Sequence, residues 1–348
     1  MKKELKKKYI IAAVACLVVL AGLCYYYFFT SFTGRTETTY LYIDQDDTYD
    51  SLMTKLMPVA TKHGFHAFST LARHSDLPDH VRTGRYELSP SMGAFVVFRH
   101  IKNGMQAPVN VTVPSVRTIS DLAGALSSKL MTDSATLAKA LTDEATCEKY
   151  GYDTTTIAAL FIPNTYDIYW NTSTDGLLKR MQKENKKFWN DDRMAKASAL
   201  KLTPVQVVTL ASIVDEETAN DQEKPMIAGM YYNRLMLRSE KYPEGMPLQA
   251  DPTIKFAWKQ FSLKRIYNNL LHIKSPYNTY VNPGLPPGPI RIPTVAGIDA
   301  VLNMTHHTYI YMCAKEDFSG THNFASTYEE HMANARRYAA ALNKRGIK

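Results

Sequence analysis

Three consecutive carboxylates, Asp215, Glu216 and Glu217, close the segment TPVQVVTLASIVDEETAN, Thr203 to Asn220. The start of the segment fixes their register. Thr203 is placed to cap a helix, Pro204 to occupy its first position and Gln206 to complete a capping box. At ~100° per residue, Leu210, Ile213 and Val214 fall within roughly 60° of Glu217 on the helical wheel. Asp215 points to nearly the opposite side, and Glu216 lies at the margin. One carboxylate of the three is therefore aimed along the apolar face. Taking a carboxylate out of water disfavours its charged form and raises its pKa. A general acid working at neutral pH needs such a group. Two other readings of these residues stay open: an acidic cluster that only solvates a helix end, and a Glu217 paired with Arg234.

The stretches MYYNRLMLRSEKYPEGMPLQADPTIKFA and SPYNTYVNPGLPPGPI are dense in Asn, Gln, Asp and Tyr between tight turns. Singly, each such residue is an ordinary turn or cap residue. Together across Asn233–Ile290 they suit hydroxyl-rich ligands such as sugars, because planar amides and carboxylates bond hydroxyls while tyrosines stack on pyranose faces. Other chemistries find no support. His306 and His307 are adjacent and cannot both face one metal from a regular helix, and no H-x-x-x-H or H-E-x-x-H spacing exists. A G-x-S-x-G elbow and a G-x-x-x-x-G-K-[ST] loop are also missing. No metal and no cofactor are expected.

The elements that must carry these residues follow from the rest of the chain. Its 348 residues suit two domains or so, and 45% hydrophobic with 21% charged residues excludes a disordered chain. The net charge of +8 invites a nucleic-acid reading, but the first eight residues, MKKELKKK, hold five Lys and one Glu and so supply +4 of it. The remainder is spread too thinly to expect nucleic acid as a partner. Tyr9–Phe29 is an uncharged run of 21 residues. At ~1.5 Å per residue it reaches ~30 Å, the thickness of the hydrocarbon core of a lipid bilayer. Lysines before it and Tyr25–Tyr27 at its far end give an N-terminus-inside, single-pass orientation. A cleaved signal peptide is the competing reading, but the apolar run is too long and no clear cleavage site follows. Cys147 and Cys313 lie outside the span; they are read as ordinary buried thiols, with a pairing left open.

The expected organisation is a basic tail (1–8), a transmembrane helix (9–29), a linker (30–39), a small α/β module (40–108), a connecting segment (109–157) and an α+β domain (158–348). The order here is β-α-α-β-α-β: a strand at TTYLYI, a helix in DDTYDSLMTKLMPVAT, another around Ala67–His74, the strand GRYEL, a helix ending at Gly104 and a strand at Val109–Val113. The larger domain mixes helices at Leu177–Phe188, Thr203–Asn220, Thr294–Met304 and Ser326–Lys344 with the strand YIYMCA. Strict βαβ alternation is missing, so the class is α+β.

In order and spacing, ASIVDEETA, YYNRL, PLQADPT, SPYNTY, GLPPGPI and THNFASTYEEH resemble the YceG-like family of endolytic murein transglycosylases. The resemblance runs from the anchor onward. GRYEL with the following segment resembles that family's LysM-like portion, and FIPNTYDIY its signature, with Asn164 in place of the usual Asp. In the family pattern A-S-I-V-E-x-E-T the second glutamate is catalytic; it falls on Glu217, and the first falls on Asp215. The resemblance implies a YceG-like catalytic domain that cleaves the MurNAc–GlcNAc β-1,4 bond of nascent glycan strands, leaving 1,6-anhydro-MurNAc ends and stopping strand growth. It implies Glu217 as the acid and peptidoglycan strands as substrate. It also implies a bacterial cytoplasmic membrane location with the catalytic domain outside, and peptidoglycan synthases as partners. Gln249, Asp251, Tyr277, Asn278, Tyr280, His322 and Asn323 are expected to line the glycan groove. The runner-up function is a non-catalytic peptidoglycan-binding or scaffolding protein; a hydrolytic muramidase differs only in the acceptor.

Overall fold

The computed structural model describes residues 2–263 and 265–345. Helices and short two-stranded sheets mix without βαβ alternation, so the fold is α+β. The chain divides into two compact units: Met1–Val111 with Lys129–Thr132 and Tyr166–Ser173, and Thr112–Ser128 with Asp133–Thr165 and Thr174–Lys348.

The first unit opens with α1 (Lys2–Phe29), a helix with the length and apolar composition of a membrane span and exposed along that stretch. Next come β1 (Thr39–Ile43), α2 (Tyr49–Leu56), α3 (Lys62–Arg73), β2 (Gly84–Leu88) and α4 (Ala94–Asn103). β1 and β2 pair antiparallel, and Leu41, Ile43, Tyr86 and Leu88 alternate inward onto the helices. Side chains of Thr48 and Thr61 cap α2 and α3, while Gly104 (φ 67) closes α4 in the left-handed conformation. α2 stops before Pro58, so Val59 and Ala60, expected on the same helix, belong to the turn after it.

Two expectations change here. The start of the 30–39 segment is docked rather than free: Phe32 is fully buried among Leu52, Phe68 and Ile101, with backbone bonds to Met92 and Thr61 on either side. Glycine is required at position 93, because a Cβ there would stand 2.7 Å from the Phe28 carbonyl oxygen. The tyrosines at the end of α1 also diverge. Tyr25 is exposed, Tyr26 stacks on His63 at 5.2 Å, and Tyr27 packs with Phe28 against this unit's core.

After β3 (Val109–Val113), the region 112–157, apart from Lys129–Thr132, is folded into the second unit as α5 (Ile119–Ser127), α6 (Ser134–Thr142) and α7 (Glu144–Lys149). β4 (Asn164–Ile168) pairs with β3. α8 (Thr174–Phe188) and α9 (Asp191–Ala199) lead into α10 (Pro204–Glu217), followed by α11 (Lys224–Met236), α12 (Asp251–Trp258) and α13 (Val295–Leu302). β5 (Tyr311–Ala314), β6 (His322–Ala325) and α14 (Tyr328–Lys344) close the unit, with β5 and β6 antiparallel. α10 is the core element: Val207 to Asp215 are all buried. Its capping box forms in both directions, with Gln206 N–H on Thr203 Oγ1 at 3.2 Å and Thr203 N–H on Gln206 Oε1 at 2.8 Å. Cys147 and Cys313 are both free thiols.

Candidate active site

Because α10 is surrounded on all sides, its three terminal carboxylates meet three different elements instead of one apolar face and solvent. Asp215 is buried against Lys224 at 2.7 Å and accepts the Thr294 N–H at 2.6 Å, at the N-terminus of α13. It thus packs α10 against its neighbours; the wheel placed it opposite Glu217, and that opposite side is protein rather than water. Gly297 is part of this arrangement, since a Cβ there would lie 2.5 Å from Asp215 Oδ1. Glu216 accepts Arg117 Nε and Nη2 at 2.7 and 2.9 Å and Arg291 Nη1 at 2.9 Å. Both are structural anchors that hold the last turn of α10.

Glu217 stands apart from both. Its carboxyl opens into a cleft of about 230 Å³ lined also by Met230, Tyr231, Arg234, Gln249, Asp251, Tyr280, Met312, Cys313, Ala314 and His322. Its one hydrogen bond among the described residues comes from the Tyr231 hydroxyl, at 2.6 Å to Oε1. Burial pushes the Glu217 carboxyl above the ordinary range; the Tyr231 bond opposes that, Asp251 adds to it, and His322 and Lys255 pull it back. An ion pair with Arg234 is not formed. That guanidinium donates to the Ile310 and Leu248 carbonyl oxygens, each at 2.5 Å, tying α11 to the segments on either side of the cleft.

Of the residues singled out in the sequence, Glu217, Gln249, Asp251, Tyr280 and His322 meet in this one cleft. Gln249 has φ 51, a left-handed backbone uncommon for a residue with a Cβ. Its N–H is held by the Thr279 carbonyl at 3.0 Å, and Ala250 N–H by the Thr279 hydroxyl at 3.1 Å. PLQADPT and SPYNTY are therefore clamped together through the carbonyl and hydroxyl of Thr279, and the turn delivers the side chains. Asp251 accepts the Tyr280 hydroxyl at 2.5 Å. Burial, then Asp251, raises the pKa of that phenol.

Three of the expected groove residues stand elsewhere. Asn278 is fully buried; its Nδ2 donates to the Leu271 and Ile273 carbonyls at 2.8 and 3.0 Å and its Oδ1 accepts Tyr280 N–H at 3.0 Å, so it shapes the turn that presents Tyr280. Tyr277 packs on Phe256 with centroids 4.7 Å apart and lines a separate cavity of about 430 Å³ with Arg117, Phe261 and Arg291. Asn323 follows His322 on β6, and alternation turns it to the other face, where it donates to Glu316 at 2.7 Å. Asn164 is exposed at the start of β4 and outside the cleft, its Oδ1 accepting the next residue's N–H at 2.8 Å. An aspartate there would accept the same bond.

Sequence reasoning missed Tyr231 and Glu223, and named Arg234 only as a possible partner of Glu217. Tyr231 and Arg234 lie within the quoted YYNRL motif, and helical spacing of three puts both on one face. Glu223 had no signal, because its importance comes from a contact with a residue 99 positions later. Among the described residues no cluster of His, Cys, Asp and Glu has the geometry to hold a metal ion.

The sequence profile of the YceG-like family matches residues 41–337. The endolytic murein transglycosylase of Bacillus subtilis (strain 168) is 31% identical over 175 residues, covering 50% of this chain and 46% of that protein. That of Streptococcus pneumoniae serotype 2 is 27% identical over 303 residues, 78% of this chain and 53% of the relative. The chain spans about half the length of the curated relatives it matches. In fold it is similar to the crystal structure of a YceG-like protein from Listeria monocytogenes, with a TM-score of 0.53 at 24% identity, over 86% of this chain and 99% of that one. With the family profile covering both units from Leu41 to Arg337, the chain belongs to the YceG-like family.

Proposed function

We propose that this protein is a membrane-anchored, endolytic peptidoglycan lytic transglycosylase, a lyase that cuts the MurNAc–GlcNAc β-1,4 bond and leaves a 1,6-anhydro-MurNAc end. The single observation that carries this reading is Glu217: a carboxyl whose pKa is raised by burial, facing a cleft of sugar-compatible side chains. Its two neighbours are tied to cations and kept out of the chemistry. Glu217 protonates the glycosidic oxygen. The Tyr231 hydroxyl then stabilises the carboxylate that forms. The MurNAc O6 attacks C1, helped by the substrate's own N-acetyl group, while a base in the cleft takes the O6 proton. No water is consumed, so the water-activating carboxylate of ordinary glycosidases is unnecessary.

α1 would anchor the chain in the bacterial cytoplasmic membrane with its lysines inside and both units outside. The first unit would act as the LysM-like glycan holder. A polar groove of about 540 Å³ between the loops before α2 and after α3, lined by Asp47, Tyr49, His80 and Arg82, supports that role. Work beside peptidoglycan synthases fits an enzyme that stops strand growth. Asp251 favours one second reading, hydrolysis, because it is another carboxylate in the same cleft and could activate water.

The test uses the full chain in detergent on uncrosslinked glycan strands. Mass spectrometry should find anhydro ends, lighter by one water than hydrolytic ends, and Glu217→Gln should make none. Hydrolytic ends would favour the Asp251 reading. A wild-type protein without product would favour a scaffold, and an equally active Glu217→Gln would refute the mechanism.

A further inference from the structure

The cleft holds a second proton carrier. His322 enters it from the start of β6, and Glu223, buried at the N-cap of α11, grips this residue twice. One Glu223 oxygen accepts the His322 backbone N–H at 2.6 Å, and the other lies 3.1 Å from Nδ1. The second oxygen also accepts the hydroxyl of Thr218, the residue after Glu217, at 3.3 Å. A carboxylate only accepts, so its bond to Nδ1 places the ring proton there and leaves the Nε2 lone pair free. No other hydrogen bond holds the ring among the described residues. An imidazole oriented by a buried carboxylate, with its far nitrogen free, in the same cleft as Glu217, has the layout of a general base.

On the transglycosylase reading above, we infer that His322 is the base of the reaction: its Nε2 takes the proton of the MurNAc C6 hydroxyl as O6 bonds to C1. The step balances. The bond from C1 to the GlcNAc O4 breaks while O4 receives the Glu217 proton; the O6–C1 bond forms while the O6 proton passes to Nε2. The imidazolium then returns a proton to the Glu217 carboxylate through water in the open cleft, and both groups are reset. Charge favours the arrangement. Once Glu217 has given up its proton, a carboxylate stands in a poorly solvated cleft beside Asp251. An imidazolium at His322 supplies the compensating positive charge, and Glu223 stabilises it from behind. The charged and titratable groups facing His322 are Glu223 behind it and, around the cleft, Glu217 from α10, Tyr231 and Arg234 from α11, Asp251 from α12, Tyr280 after it and Cys313 on β5.

The experiment measures anhydro product from uncrosslinked strands with the detergent-solubilised full chain. His322→Gln keeps a polar side chain but cannot carry the proton. It should lower kcat roughly 100- to 10,000-fold with KM little changed. A glutamine at position 223 can donate as well as accept and no longer fixes the ring proton on Nδ1, so Glu223→Gln should lower kcat about 10-fold or more with KM little changed. Added imidazole should partly restore His322→Ala. The inference is overturned if His322→Gln stays within about threefold of wild type, or if folded His322→Ala gains nothing from imidazole. Should the His322 variants fold poorly, Glu223→Gln decides the question, and a wild-type kcat there overturns the inference. Wild-type protein that makes no anhydro ends would instead sink the underlying reading.

Discussion

Tyr231→Phe removes one oxygen and tests how the cleft sets the acid. In the wild type the phenol donates to Glu217 at 2.6 Å, and this bond opposes the upward push that burial exerts on the carboxyl. A hydrogen bond to a charged group contributes about 1.5–3 kcal/mol. The bond favours the ionised form, so without it the proton is held more tightly, the Glu217 pKa rises further, and the basic limb of the kcat profile moves to higher pH. The same bond stabilises the carboxylate left by proton transfer, so the plateau rate should fall about 10- to 100-fold. Phenylalanine fills the same space in the core around α10, so the melting temperature should stay near wild type. The assay is release of anhydro ends across pH, with a melt of each sample. A Tyr231→Phe enzyme with both limb and plateau at wild-type values would refute the account of how Glu217 is tuned.

Other consequences are equally open to measurement. Glu217 has a folded-state pKa raised by burial, so its contribution to stability is intact below the unfolded value and lost as pH rises through the folded one. Glu217→Gln should therefore melt like wild type in acid and progressively higher than wild type toward alkaline pH. Phe32→Ala, or a chain begun at Tyr40, should lose about 3–5 kcal/mol in the first unit by urea unfolding, because Phe32 is fully buried in its core. Lys224→Met leaves Asp215 buried without its cation and should cost about 3–5 kcal/mol; the double variant with Asp215→Leu should recover much of that.

Much of this protein was readable in one dimension because the signals are local. Thr203, Pro204 and Gln206 are close neighbours, and the helix they start appears where their chemistry puts it. Gly104 ends α4, and the alternating residues of TYLYI and GRYEL make the sheet of the first unit. The polar motifs Gln249, Asp251 and Tyr280 meet because the backbone of one turn bonds to the carbonyl and hydroxyl of Thr279 in the other. Segment ends were less legible. Phe32 looks like linker in the sequence because its burial depends on backbone bonds to Met92 and Thr61, far along the chain. The region 109–157 was read as a connector because α5, α6 and α7 carry no chemistry of their own.

The sequence by itself determined an apolar N-terminal helix, a βααβ arrangement, and a well-capped helix with Glu217 at its end. Each of these depends on neighbours within a few residues, where propensity, capping and periodicity act. Which of three adjacent carboxylates faces a cleft, and which are tied to Lys224, Arg117 and Arg291, was settled by packing across 9 to 99 positions of chain. The wheel selected Glu217 for its apolar face, but α10 is buried all round, so that face did not distinguish it. What distinguishes it is that, among the described residues, no cation pairs with it and Tyr231 bonds to it. The hold of Glu223 on His322 is of the same kind: a long-range contact that sets the ring, and so the free nitrogen, with no trace in the local sequence.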